Sequence, residues 1–236
     1  MYMARVIWGA VFLLFGIMGA WMALTFLQQE IAYRRTEKAI ARWSQLGYID
    51  DREQWLHEYE RMSQIAPWGD LNARRYALLG ELWYWQAFQQ RFSPQAQGHS
   101  TAQAVQAYRR ALSVRPTDAN MWARRLQALI MGRTFSKEAA QAYWAVRHFG
   151  PYESNLVRLL VWVVLSRWDE LPRAVQADLP DLIAAATESE DGRAAILQAA
   201  RESNRVSLVM PLLEKSNLAG KQRMRLRELE RHQRRP

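Results

Sequence analysis

The chain has 236 residues, half of them hydrophobic and 23% charged, a balance that excludes a disordered polymer. It contains no cysteine, which excludes disulfides, cysteine-ligated zinc or iron–sulfur centres and thiol catalysis, and leaves the compartment open. The formal charge of +9 comes mostly from arginine, since Lys38, Lys137, Lys215 and Lys221 are the only lysines. His57, His99, His148 and His232 lie far apart and form no metal-ligand spacing, so neither a metal nor another cofactor is expected.

Val6 to Leu27 is an uncharged run, VIWGAVFLLFGIMGAWMALTFL. At 1.5 Å per residue a helix of this length reaches roughly 33 Å, the thickness of a bilayer's hydrocarbon core. It shows none of the polar face of a soluble core helix. Trp8 and Trp21 lie towards its ends, where indoles favour the membrane interface. Bulky Trp21 and Met22 stand where a signal-peptide cleavage site needs small residues, and the run leads straight into a charged helical stretch. An uncleaved transmembrane anchor over residues 1–30 is the expectation. Gly16 with Ala20 and Gly19 with Ala23 place small residues on one helix face, a pattern that ordinary glycine and alanine usage in membrane helices also produces. Orientation has two opposed indications. Arg34, Arg35, Lys38 and Arg42 after the anchor favour the C-terminal side inside, whereas a short tail before a single apolar segment is how many exported, anchored bacterial proteins begin. A single pass through the inner membrane is expected, with the periplasmic side preferred for the rest of the chain.

Beyond the anchor, apolar residues recur at three and four, as in Trp55, Tyr59, Met62 and Ala66, and alternation at two is almost absent. Asp50 and Asp51 are candidate caps for that helix, with Glu53 in its first turn. Pro67-Trp68-Gly69, Gly98, Pro116 and Gly150-Pro151 punctuate the chain. The fold class is all-α. Ala104, Tyr108, Ala111 and Pro116 are spaced by four, three and five, and Ala139, Tyr143, Val146 and Pro151 repeat the same steps. A small residue admits a neighbouring helix, the aromatic packs into the groove, and the proline ends the unit. Trp55, Tyr59, Met62 and Pro67 form a fainter copy.

Tyr76, Leu79, Gly80 and Trp83 precede the first of these helices, and Trp122 precedes the second. On these residues the chain resembles the tetratricopeptide repeat family over roughly 50–165, best over 101–125. About twelve residues near Phe92 to His99 are inserted within the first unit, and Arg125-Leu126 replace the Leu-Gly pair in the second. The resemblance implies a solenoid of helical hairpins over 71–170, preceded by a helical linker and degenerate repeat over 31–70. Residues 171–236 then form C-terminal helices that cap the solenoid, followed by a basic tail. Leu156–Trp168 reads as the first helix of a third unit, with shorter helices at 174–186, 193–202 and 206–215. In that family the first helices line a concave surface. Carried over by register, the partner-binding positions are Arg74, Glu81, Tyr84, Asn120, Gln127, Asn155 and Arg158.

No catalytic motif is present: no GxSxG, GxxxxGK[ST] or GxGxxG. Glu188, Glu190 and Asp191 read as a solvated loop, Glu58 and Glu60 as a charged helix face, His57 as surface and His148 as structural. The expectation is therefore a protein without enzymatic activity. Trp83, Tyr84, Trp85, Phe88 and Phe92 form a dense aromatic cluster that helical spacing assigns mainly to a core. Trp83 and Trp85 cannot share one face, however, and an exposed indole stacks on sugars or peptides. The tail Lys221–Pro236 carries a net +5, suited to solvent, anionic lipid heads or phosphates; without accompanying aromatics or motifs, nucleic acid is not expected. The general layout resembles that of VpsP-like accessory proteins of bacterial exopolysaccharide biosynthesis. That likeness implies a non-catalytic scaffold which holds other membrane or envelope proteins together. The alternative is a lipid-, polysaccharide- or nucleic-acid-binding module that uses the tail and the aromatic cluster.

Overall fold

A computed structural model describes residues 2–65, 72–132, 134–187 and 190–215, with side chains from Phe12 onward apart from those of Glu190 and Asp191. The side chain of Trp8, the Pro67-Trp68-Gly69 break with the repeat end at Pro67, Glu188 and the 221–236 tail lie outside what is described. Among the described residues every regular element is helical. The chain divides into two compact units, Met1–Arg115 and Pro116–Pro236, a division that falls inside the 71–170 segment.

In the first unit, α1 (Tyr2–Leu46) is a single 45-residue helix, so the expected anchor and the start of the expected linker are one element. It is long and apolar enough to cross a membrane. From Phe12 to Leu27 its large apolar side chains are 42–72% exposed, the opposite of a soluble core helix. From Ala32 the helix turns amphipathic: Ala32 and its neighbour Tyr33, then Thr36, Ala39 and Trp43 at steps of three and four, are buried. Gly47 ends the helix at φ 77°, a left-handed conformation that glycine adopts without a Cβ clash, and its N–H donates to the Trp43 carbonyl at 2.7 Å.

α2 (Arg52–Gln64) starts at Asp51, whose carboxylate accepts from the Glu53 and Gln54 amides. α3 (Ala73–Gln89) starts at Asn72, whose amide oxygen accepts from the Arg74 and Arg75 amides. Trp43, Trp55, Met62, Leu78 and Leu82 close the core between α1, α2 and α3. Gln89 secures the α1–α2 loop by exchanging hydrogen bonds with both the N–H and the carbonyl of Ile49. α4 (Pro94–Val114) runs 21 residues, so most of the inserted residues are helix rather than loop. Pro94 fits the first turn because the amide it lacks would have had no partner there. α3 and α4 form the closest-packed pair in the unit. Ala104, Tyr108 and Ala111 are fully buried, and the Tyr108 ring lies over Gly80.

In the second unit, α5 (Ala119–Leu129), capped by Asp118, pairs with α6 (Lys137–Phe149), capped by Ser136. Ala139, Tyr143 and Val146 are fully buried, as are their counterparts in the first unit. α7 (Ser154–Ser166) is the apolar centre of this unit and packs mainly on two later helices. A single helix over 174–186 does not form. It is divided into α8 (Arg173–Ala177) and α9 (Leu179–Ala186), because Pro180 suits the first turn of a helix and not its interior. α10 is Glu190–Glu202, so Glu190 and Asp191 begin a helix rather than a loop; residues 206–215 are helical again.

A Cβ on Gly80 would meet the Tyr108 ring at 2.5–2.8 Å, and that ring is fully buried and cannot withdraw. Gly80→Ala is expected to destabilise the chain by about 1–3 kcal/mol. Gly98, inside α4 with nothing within 4 Å of its Cβ direction, is the control: Gly98→Ala is expected to stabilise by about 0.5–1 kcal/mol. Urea midpoints of the two variants check both signs.

Candidate functional site

Three of the seven register-derived positions lie on α3. The Arg74 guanidinium donates to Glu30 at 2.8 Å and to Glu37 at 2.9 Å, both on α1, and lies 5.1 Å from the Tyr33 ring. Partial burial works against its charge, but the two carboxylates outweigh that, so its pKa sits above the ordinary arginine value. Arg74 therefore ties α3 to α1. Glu81 is buried, and Tyr84 is half-buried with its ring edge against Trp85. The other four lie in the second unit. Asn120 is exposed on α5, and its amide donates to Glu153 at 3.3 Å, just before α7. Gln127 is half-buried on α5, while Asn155 and Arg158 are exposed on α7. At 100° per residue Asn155, Arg158 and Trp162 share one α7 face, and Trp162 is 41% exposed.

The concavities in the first unit lie elsewhere. With 100° per residue, Arg74, Glu81 and Tyr84 occupy one side of α3, while Arg75, Tyr76, Leu79, Trp83, Gln86 and Gln90 occupy the opposite side. That opposite side forms, with α2 and α4, two adjoining clefts. One, of about 230 Å³, is lined by Tyr59, Arg75, Tyr76, Trp83, Gln103 and Arg110 among others. The second, of about 560 Å³, is lined by Trp55, Trp83, Gln86, Gln90, Gln95 and His99 among others. Trp83 borders both.

The rings are held firmly. The Trp55 indole N–H donates to the Leu82 carbonyl at 2.9 Å, and Tyr59 stacks on Trp55 with ring centroids 5.4 Å apart. Trp83 meets both edge-on at 5.3 and 5.2 Å, and the exposed His99 ring stands 5.9 Å from Trp83. At the other end the Tyr76 ring carries the Arg75 and Arg110 guanidinium groups at 5.7 and 5.8 Å. Arg75 also donates to the Met62 and Ser63 carbonyls in the last turn of α2. Gln90 is set by accepting from the Ser100 hydroxyl at 2.8 Å. No Asp or Glu is among the described lining residues.

Two buried ionic clusters stand apart from these clefts. Glu58 is buried, contrary to its expected place on a charged face. It accepts from the Thr36 hydroxyl at 2.6 Å and from Arg61 at 2.6 and 2.7 Å, so α2 is bonded through it to α1. In the second unit Asp178 accepts a hydrogen bond from the Tyr143 hydroxyl and a two-pronged one from Arg147 at 2.8 and 3.0 Å. This cluster fastens α6 to the corner between α8 and α9. His57 is exposed as expected; His148 is exposed too, rather than structural, with its ring 4.8 Å from Phe149. Among the described residues no group of three or more His, Asp or Glu side chains is placed to hold a metal ion.

No protein-family model, curated protein or solved structure matches this chain.

The signal for the clefts was present in the sequence as a spacing rather than a motif. His99, Gln103, Gln106 and Arg110 recur at four, three and four along α4, and Tyr76, Leu79, Trp83, Gln86 and Gln90 at three, four, three and four along α3. The repeat register points to the other side of α3, with Arg74, Glu81 and Tyr84.

Burial first, and then the bond to Asp178, push the Tyr143 hydroxyl far above its ordinary pKa. A raised pKa gives stability that is complete below the unfolded tyrosine value of about 10 and is lost as pH rises beyond it. Tyr143→Phe is expected to cost about 1–3 kcal/mol at pH 8. It is also expected to remove one proton's share, about 1.4 kcal/mol per pH unit, from the fall in stability above pH 10. Urea melts at pH 8 and at pH 11 check both.

Proposed function

We propose that this chain is a membrane-anchored, non-catalytic helical scaffold that docks partner proteins, in the service of bacterial envelope or exopolysaccharide assembly. The observation that carries this reading is the continuity of α1. One helix supplies both an exposed apolar stretch from Phe12 to Leu27 and five side chains buried within the first unit, from Ala32 to Trp43. A stem built this way holds the folded part at the bilayer without a flexible linker, as a docking platform requires. In this reading the stem crosses the inner membrane once, the paired helices are tetratricopeptide-like, and the partners are other membrane or envelope proteins. The exposed α7 face with Asn155, Arg158 and Trp162 supports docking, because a large aromatic beside an arginine is a frequent anchor in protein interfaces.

Full-length chain is expected to stay in the membrane fraction after alkaline carbonate washing, whereas a variant lacking residues 1–27 is expected in the soluble fraction. Recovery of the full chain in the wash contradicts the anchor. In crosslinked, detergent-solubilised membranes, Arg158→Ala with Trp162→Ala is expected to lose co-purifying membrane proteins while its circular dichroism stays unchanged. Unaltered co-purification contradicts the docking face.

A further inference from the structure

We infer that the paired clefts flanking Trp83 form a binding site for a chain of acidic sugars, that is, a uronate-bearing glycan. The inference goes beyond the docking reading and stands whether or not the α7 face holds a protein.

Shape comes first. The linings of the two clefts together follow α4 from Gln95 to Arg110, about 22 Å at the helical rise, and each cleft opens to solvent. That suits an extended polymer rather than a compact metabolite. Lining chemistry comes second. A protein partner anchors through side chains that bury in desolvated apolar pockets. These clefts instead offer flat rings and planar amides, with Leu79 and two alanines as the only aliphatic side chains among the described lining residues. A sugar ring needs both of the surfaces provided. Its C–H face lies on an aromatic ring, and its hydroxyl edge needs groups that donate and accept side by side, as carboxamides do. Trp83 supplies a central ring shared by the two clefts, while Gln86, Gln95, Gln103 and Gln106 supply amides along them.

Charge comes third. Arg75 and Arg110 stand at one end, and no carboxylate lines either cleft among the described residues. Guanidinium groups are forks matched to carboxylates, and their attraction is strongest where no competing acid is at hand. A neutral glycan leaves those two charges unused, and an acidic one engages them. Arg110 is exposed, and the Tyr76 ring orients it without neutralising it.

The test uses the full chain in lipid nanodiscs and isothermal titration calorimetry with three probes: hexagalacturonate, cellohexaose and hexaglutamate. The uronate is expected to bind at least tenfold more tightly than the other two, and more weakly as salt is raised. Gln106 and Arg110 are exposed on α4, so Gln106→Ala with Arg110→Ala is expected to weaken uronate binding at least tenfold with unchanged thermal melting. Trp83→Phe, which keeps an aromatic ring in the cluster, is expected to weaken it by a smaller factor. Absence of uronate binding at millimolar concentration overturns the proposal, and so does a double variant that binds like the parent. Cellohexaose binding as tightly as the uronate overturns the acidic part. Hexaglutamate binding as tightly, and lost in the same double variant, makes the clefts a peptide site instead. None of these results bears on co-purification through the α7 face, so failure here is separable from failure of the docking reading.

Discussion

The packing of α1 against α2 and α3 is the constraint on which the first unit depends. Ala32, Tyr33, Ala39 and Trp43 are members of its hydrophobic core. Without them, Trp55, Met62, Leu78 and Leu82 would face water. The contact is also specified by polar groups. Thr36 reaches the buried Glu58, Asn72 donates to the Tyr33 hydroxyl at 2.6 Å, and Arg74 spans Glu30 and Glu37, which lie about two turns apart on α1. A half-exposed ion pair contributes little energy, under about 1 kcal/mol. Removing Thr36 or Arg61 from buried Glu58 would cost more, because the carboxylate would be left without its partners. These bonds therefore fix the rotation of α1 about its axis, while apolar burial holds it in place.

That rotation leads to the clefts. The side of α3 bearing Arg74 and Glu81 is turned towards α1, so the opposite side, with Trp83 at its centre, opens between α2 and α4. The Trp55 indole bonded to the Leu82 carbonyl and the Arg75 guanidinium bonded to the end of α2 set the width of that opening. The same helix pair that buries the stem thus displays a ring-and-amide surface on its far side. Rings fixed by the Trp55 indole bond and by stacked and edge-on contacts with their neighbours lose little freedom when a ligand settles on them, which favours binding.

Much of the architecture was readable from the residues. The apolar run, the helical class, the Asp51 cap, and the small–aromatic–small triplets now found fully buried at Ala104, Tyr108 and Ala111 and at Ala139, Tyr143 and Val146 all follow from local rules. What was not readable depends on tertiary neighbours. Glu58 looks like a surface charge by spacing, and only the approach of Thr36, 22 residues earlier, makes it an interior one. Arg74 looks like a free ligand position until α1 is known to continue past the anchor. Pro180 lies within the single helix expected over 174–186, and the corner it makes there is held by Asp178 accepting from a tyrosine and an arginine more than thirty residues away. The aromatic cluster near Trp83 is visible as density in the sequence, yet Trp83 and Trp85 are both half-buried, and which of the rings border a cleft depends on the positions of α2 and α4.

The central claim is that one uninterrupted helix passes from the lipid into the core of the first unit. Because the sequence has no cysteine, single cysteines at each position from Phe12 to Trp43 can carry a nitroxide label without background. Collision with oxygen and with a water-soluble nickel chelate then reports lipid, water and protein contact at every site in nanodiscs. The account predicts high oxygen and low nickel accessibility at all positions from Phe12 to Leu27. Beyond Ala32 it predicts a 3.6-residue oscillation with minima at Tyr33, Thr36, Ala39 and Trp43, in phase with an unbroken helix. Nickel accessibility throughout 12–27, or loss of phase between Leu27 and Ala32, would contradict it.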